Sequence, residues 1–298
     1  PKEDRFSLLK AFKANLSPIF VLCYDKKRII QYIHQHHIQG KLPFIDIADD
    51  EKTVHKLWRL DSEDVLGKVQ LAMKSEDFFI ADGHHRYEVD LAYRDKMKNK
   101  LGAISGEEDF NYVLSYFTNI DSRGLVILPI HRLVRLDAKL NSDNLRSAFL
   151  DYFDVEMIKD KIRFFFLLEK AGQTEHLLGV YRDKKYWLLR LKNIKILDKL
   201  ISNKPKEYRN LDVCILNYIV LNKILGLDWE NKENITFSPH PDELIERVDN
   251  DSDYIAFFLN PVKVQQMVQV ALSGEKMPAK STYFYPKVLS GLVINKFS

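Results

Sequence analysis

Two cysteines in 298 residues leave no disulfide framework to hold this chain. Cys23 and Cys214 lie far apart inside apolar runs, the setting of buried free thiols in a reducing compartment. Long hydrophobic runs are missing as well. The stretches Leu16–Leu22 and Ile162–Leu168 fall far short of the roughly 20 residues that a membrane helix needs. No charged segment followed by an apolar one opens the chain, so nothing reads as a signal peptide. A cytoplasmic protein with no membrane partner is expected. Charge of one sign is also lacking: Lys plus Arg 45 against Asp plus Glu 42 gives a net charge of +3. Nucleic-acid recognition would need a localised basic surface rather than a slightly positive total, and nucleic acid is not expected as a partner. No Gly-x-x-x-x-Gly-Lys-Ser/Thr is present, which excludes a Walker P-loop. There is no internal repeat. The first residue is Pro1 rather than Met, as in a processed or truncated piece of a longer protein.

What is present is ordinary for a globular chain, with 46% hydrophobic and 29% charged residues. At roughly 100–200 residues per domain, two domains or one α/β body with an appendage are expected. Along the chain, a helix at Asp4–Lys13 precedes a buried strand at Ile19–Tyr24, a helix at Arg28–His37 and strands at Phe44–Ile47 and His55–Leu60. A helix from Ser62 to Lys74 leads to a strand at Phe78–Ala81 and a helix around Val89–Met97. Strands follow at Phe110–Thr118 and Val126–Arg135, then a helix from Asn141 to Phe153. The spacing next predicts strands at Arg163–Leu168, His176–Tyr181 and Lys185–Leu191. A helix at Leu211–Leu225 ends at Gly226, and a strand at Tyr254–Leu259 and a helix at Pro261–Ser273 follow.

The strongest chemical signal is Ala81-Asp82-Gly83-His84-His85-Arg86-Tyr87-Glu88. A buried strand that empties into a glycine turn and a helix start aims backbone N–H groups at whatever binds there, which suits an anion. Arg86 can grip a phosphate, His84 and His85 can donate hydrogen bonds or move protons, and Asp82 can orient a histidine or hold a hydrated metal ion. The plainer alternative is that Asp82 caps a helix and the histidines are solvated. A second signal, Lys276 to Lys287, interleaves lysines and hydroxyls with aromatics, as in a phosphate wall or in a solvent-facing edge whose aromatics are core. His131 and Arg132 follow Pro129, at a pocket or in a surface ion pair. His34, His36 and His37 form either a metal site or a solvated helix end. Asp46, Asp49, Asp50 and Glu51 suit Mg²⁺ or a charged turn, and His55 and Trp58 line a pocket or pack.

These segments together resemble a bacterial and archaeal family long catalogued as a domain of unknown function, within the ParB/sulfiredoxin superfamily. The resemblance rests on Asn15-Leu16-Ser17-Pro18-Ile19-Phe20, His55-x-Leu57-Trp58, Ile80 to Glu88, Pro129-x-His131-Arg132-Leu133, Leu211-Asp212-Val213 and Met277-Pro-x-Lys280-Ser281-Thr282-Tyr-Phe-Tyr-Pro286-Lys287, which stand in family order across almost the whole chain. It implies a mixed α/β fold, a ParB/sulfiredoxin-like core over residues 1–138, an α+β insertion at 139–205 and a C-terminal part at 206–298 that returns to the site. Related members include free serine kinases, so the activity implied is phosphorylation of free L-serine to O-phospho-L-serine, with ATP, ADP or pyrophosphate as donor and Mg²⁺ as cofactor. Asp82, His84, His85 and Glu88 would be catalytic, with Asp82 at the metal. Gly83, Arg86, His131, Arg132, Lys280, Ser281, Thr282 and Lys287 would hold phosphate. The base is a carboxylate in the resembling kinases, and Glu88 or Asp82 stands in for it here. Family members carry a further segment ahead of this start, with an Ala-Pro-Pro-Tyr-Asp element. A homodimer is compatible with all of this. The alternative of a different class is a non-catalytic ParB-like nucleotide-binding, regulatory or DNA-associated module, but no basic recognition helix is legible.

Overall fold

The computed structural model describes residues 2–50, 52–102, 105–136 and 142–297. The architecture is mixed α/β, and the chain forms two compact units, Pro1–Val126 with Phe284–Ser298, and Ile127–Tyr283. Of the segment limits read from the sequence, 205/206 falls inside the second unit, and 138/139 lies outside the described residues.

The first unit is built on a three-stranded sheet. Its central strand, Ile19–Cys23, is buried along its whole length, which is why it reads as one apolar run. It pairs antiparallel with Phe78–Asp82 and parallel with Ser115–Asn119. Asp25, just after the central strand, starts the next helix by accepting from the Ile29 and Ile30 N–H groups at 2.6 and 3.0 Å. Two small ribbons complete the unit: Ala14–Asn15 with Asn295–Lys296, and Ile45–Ala48 with Val54–Leu57. The opening helix Lys2–Phe12 and the helix His84–Leu101 share a cluster of Leu9, Val89, Tyr93 and Phe297.

The second unit holds a six-stranded antiparallel sheet in the order Ile235–Ser238, His131–Arg135, Tyr254–Phe258, Leu177–Arg182, Lys185–Leu191, Phe153–Ile158. Successive residues point to opposite faces. Val134, Leu178, Val180, Leu189 and Phe257 pack on one face with Ile215, Ile219 and Val220 of the helical stretch after Leu211. Leu133, Leu177, Tyr181, Leu188 and Phe258 pack on the other with Phe164, Leu168, Leu244 and Val248. Both faces are covered, so the central strands Tyr254–Phe258 and Leu177–Arg182 are apolar along most of their length.

Several expected elements differ. Arg163–Leu168 is not a strand but part of the helix Lys161–Ala171. Asp160 caps it, accepting from the Arg163 N–H at 2.7 Å, and Phe164 and Leu168, one turn apart, are buried while Ile162 and Phe166 face solvent. The expected strand Phe110–Thr118 is a single tight turn at Asp109–Asn111 followed by the strand Ser115–Asn119. Pro129 lies between the separate strands Val126–Leu128 and His131–Arg135, having no N–H to continue a ladder. The helix expected from Asn141, a residue outside the described ones, is Ser142–Leu150, and Phe153 opens a strand instead of closing that helix. The helix Pro241–Asn250 and strand Ile235–Ser238 have no counterpart in the sequence reading.

Candidate functional site

The strand Phe78–Asp82 delivers Asp82 to the edge of the first unit's sheet, opposite Phe20. The chain then reverses at Gly83, whose φ of 92° lies in the left-handed region, and enters the helix His84–Leu101. A side chain at this position would be strained, and a Cβ would come within 2.8 Å of Arg86 Nη2 and 2.9 Å of its Nε. The N-cap, Gly83, brings no capping side chain to this helix start, which is the positive end of the helix dipole. Arg86 folds back over the turn and donates from Nη2 to Asp82 Oδ2 at 3.1 Å. Burial pulls its pKa down, the Asp82 and Asp90 carboxylates push it back up, and Arg5 adds a second positive charge nearby. The corner gathers groups of the kind that suit an anion: backbone donors, a guanidinium held in place, and two exposed histidines, His84 and His85, on the first turn.

Behind the turn, Arg86, Asp90, Asn15, Ser17 and Arg5 line a small cavity of about 100 Å³. Asn15 is 6% exposed. Its amide donates to Asp90 Oδ1 at 2.9 Å, and its carbonyl accepts from the Leu114 N–H at 3.1 Å and from Asn295 Nδ2 at 3.2 Å. Burial pushes the Asp90 carboxyl up to about 6, against the lowering effects of the Asn15 hydrogen bond and the Arg86 charge. Glu88, one of the two carboxylates expected as base, is ion-paired with Lys2 at 2.7 Å.

A wider cleft of about 580 Å³ opens in the same unit. Phe20 and Tyr116 form an aromatic wall, ring centroids 5.3 Å apart, and Phe20 is the cross-strand partner of Asp82. His55, Lys56 and Lys287 bring basic groups to it, with Tyr285 beside them. His55 is held by Asp49 at 2.9 Å, whereas Trp58 donates to the Lys41 carbonyl at 3.0 Å and is not among the cleft residues.

The sequence profile of a family described as Protein of unknown function (DUF1015) matches residues 1–214. The chain belongs to this family. No curated protein matches it. Among solved structures, it is similar to a free serine kinase mutant in complex with ADP, at 11% identity and a TM-score of 0.43, over 99% of this chain and 82% of that one. A conserved hypothetical protein from Pyrococcus furiosus is similar at 12% identity and a TM-score of 0.39, over 97% and 84%. SbnI with a C-terminal truncation, from Staphylococcus aureus, is similar at 11% identity and a TM-score of 0.44, over 97% and 77%.

In this member of the family, the expected site residues divide between the units. Asp82, Gly83, His84, His85, Arg86, Glu88 and Lys287 belong to the first; His131, Arg132, Lys280, Ser281 and Thr282 belong to the second. His131 is 4% exposed and its Nδ1 accepts from the Leu259 N–H at 3.2 Å. Burial holds it down to about 4, helped by the Arg132 and His240 charges, so it is neutral at pH 7. The Ser281 hydroxyl is buried and donates to the Pro278 carbonyl at 2.5 Å. Arg132 is 1% exposed and holds the Lys280 carbonyl from Nη2 at 2.9 Å.

Among the described residues no three His, Cys, Asp or Glu side chains gather as a metal cage. Glu51 of the acidic turn lies outside them, and His36 and His37 pack against Tyr32. Both cysteines are free and buried, and burial raises the Cys23 thiol to about 11. Among the described residues no helix is long and apolar enough to cross a membrane. Sequence reasoning missed Asp90 and Asn15. Asp90 had a signal: it stands four residues after Arg86, the spacing that stacks side chains on one helix face.

Proposed function

We propose that this chain is a phosphotransferase that phosphorylates a small alcohol, free L-serine, from ATP, ADP or pyrophosphate. The observation that carries the reading is the Asp82 to Arg86 turn, where an uncapped helix start and a guanidinium fixed by Asp82 converge on one point. Phosphoryl transfer asks little covalent chemistry of a protein and much positioning and charge neutralisation. The neighbouring cleft, with Phe20 and Tyr116 for a flat ring and Lys56 and Lys287 for charge, suits a nucleotide donor. The resemblance of the chain to a family whose related members include free serine kinases supports the substrate.

In this reading the serine hydroxyl oxygen bonds to the terminal phosphorus of the donor while the bridging P–O bond breaks. Arg86 and the first-turn N–H groups neutralise the phosphate oxygens. His85 donates to them from the solvent side. The hydroxyl proton passes to Asp90, whose carboxyl near 6 is ionised at neutral pH yet basic enough to accept it. Asp82, exposed at the turn beside Arg86, would hold Mg²⁺, which keeps several waters and takes most other ligands from phosphates and would supply charge at the transferring group.

Phosphorus NMR on the purified chain with L-serine and Mg²⁺, run in parallel with ATP, ADP and pyrophosphate, tests the reading. A phosphoserine resonance with at least one donor is expected. Arg86→Ala should weaken donor binding about tenfold or more, and His85→Ala should cut turnover by about 100-fold, both with unchanged circular dichroism. The rate should fall as pH drops through about 6 in the wild type, and Asp90→Asn should remove that limb. Silence with all three donors, with nucleotide still bound, would replace this reading with that of a binding module. Wild-type kinetics in both variants would overturn the site.

A further inference from the structure

A cavity of about 300 Å³ lies entirely within the second unit, at the small end of the range for small-molecule sites. Its walls are aromatic and apolar, chiefly Tyr208, Trp229, Phe237 and Met277, with the buried amide of Asn217, 3% exposed, on one side. Into this lining the fold places Arg132, among the largest fully buried side chains of the described residues. Its guanidinium hydrogen-bonds to two backbone carbonyls, those of Ile130 and Lys280, and sits 5.3 Å from the Phe237 ring centroid. Nε is buried with no hydrogen-bond partner. Burial brings its pKa down to about 9, and the Glu230 carboxylate in the same wall is exposed to solvent.

A buried cation whose hydrogen bonds go to neutral carbonyls is expensive, and the expense is relieved when an anion enters the same low-dielectric space. We propose that this cavity is a binding site for a small organic monocarboxylate with an aromatic or branched apolar body, its carboxylate on Arg132 and its body against Trp229 and Phe237. The charge count in the walls favours a single negative charge. Arg132 and the exposed Lys280 are opposed by Glu230, which leaves one net positive charge for the ligand and works against a phosphate dianion. Apolar walls supply the remaining affinity through burial of the ligand body. This site does not depend on the phosphotransferase reading, whose transfer step uses Asp82, His85, Arg86 and Asp90 of the first unit.

Ligand-observed NMR on the full chain tests it with phenylacetate, indole-3-acetate and 4-methylpentanoate, with phenylacetamide and inorganic phosphate as controls. Saturable binding of at least one carboxylate is expected, with phenylacetamide at least tenfold weaker than phenylacetate where the latter binds, and no competition from phosphate at tenfold excess. Arg132→Gln should weaken binding at least tenfold. Because Arg132 also anchors the Lys280 turn, a second variant guards against misfolding: Ala279→Trp, at an exposed wall position, should fill the cavity and abolish binding with the fold intact. The proposal is overturned if none of the three carboxylates saturates, if acid and amide bind alike, if phosphate displaces the ligand, or if binding survives Ala279→Trp.

Discussion

At Gly83 and Arg86 two residues share one small volume. The backbone at φ 92° is open to glycine, and the space a Cβ would take is already held by the Arg86 guanidinium. Gly83→Ala therefore has two separable effects. Backbone strain in the left-handed region costs about 1–2 kcal/mol whatever stands at position 86. The contact with the guanidinium costs little in stability, because the end of a long side chain can swing away, but it moves Arg86 off Asp82 and off the position proposed for the phosphate. Urea unfolding should show about the same loss for Gly83→Ala in the wild-type and Arg86→Ala backgrounds. Pyrophosphate titration should show a several-fold loss for Gly83→Ala in the wild type and a smaller further loss once Arg86 is gone. Equal affinity losses in the two backgrounds would mean that the guanidinium does not act from over this turn.

The helix Lys161–Ala171 shows what an element can conceal in its sequence. Ile162 to Leu168 is a run of apolar residues interrupted only by Arg163, and such a run has no period from which to choose between strand and helix. The deciding residue lies just before it: Asp160 caps the helix, a signal that the apolar run overshadowed. Its tertiary complement lies in the strand Leu177–Arg182, where Gly179 leaves room for Phe164. A Cβ on Gly179 would stand 2.5 Å from Phe164 Cζ and 3.1 Å from both Leu168 Cδ2 and Phe258 Cβ. Gly179→Ala should thus destabilise the second unit by about 1–3 kcal/mol through overpacking, and Phe164→Leu in that background should recover part of the loss. Chemical denaturation of the two variants checks this; a single variant as stable as the wild type would show that the helix is not seated on this glycine. By contrast, the turn at Gly83 was legible because strand, glycine and helix follow within a few residues. Asn15 was not. Its partners Asp90, Leu114 and Asn295 stand 75, 99 and 280 residues further along the chain.

At the scale of the whole molecule the same limit appears in the division into units. The closing segment, Phe284–Ser298, rejoins the first unit, with Asn295–Lys296 beside Ala14–Asn15 and Phe297 stacked on Tyr93 at 5.7 Å. Pairings between opposite chain ends leave no local trace in sequence. Burial moves the Asp90 carboxyl in the first unit and the His131 imidazole in the second, and these two shifts oppose each other. His131 goes from 6.5 to about 4, so its contribution to stability is complete above 6.5 and is lost as pH falls towards 4. Asp90 goes from 3.8 to about 6, so its contribution is complete below 3.8 and is lost as pH rises towards 6. Each shift spans about two pH units, on the order of 3 kcal/mol at 1.36 kcal/mol per unit. Over the same acidic window one unit should gain what the other loses, and amide hydrogen exchange resolved by unit should show slopes of opposite sign between pH 4 and 6.5. Asp90→Asn should be close to neutral at pH 4 and increasingly stabilising towards pH 7. His131→Asn, which keeps an acceptor for the Leu259 N–H, should cost most at pH 7 and less as pH falls. Parallel stability curves for wild type and Asp90→Asn would show that Asp90 titrates alike folded and unfolded, which would also remove it as the proton acceptor near pH 6.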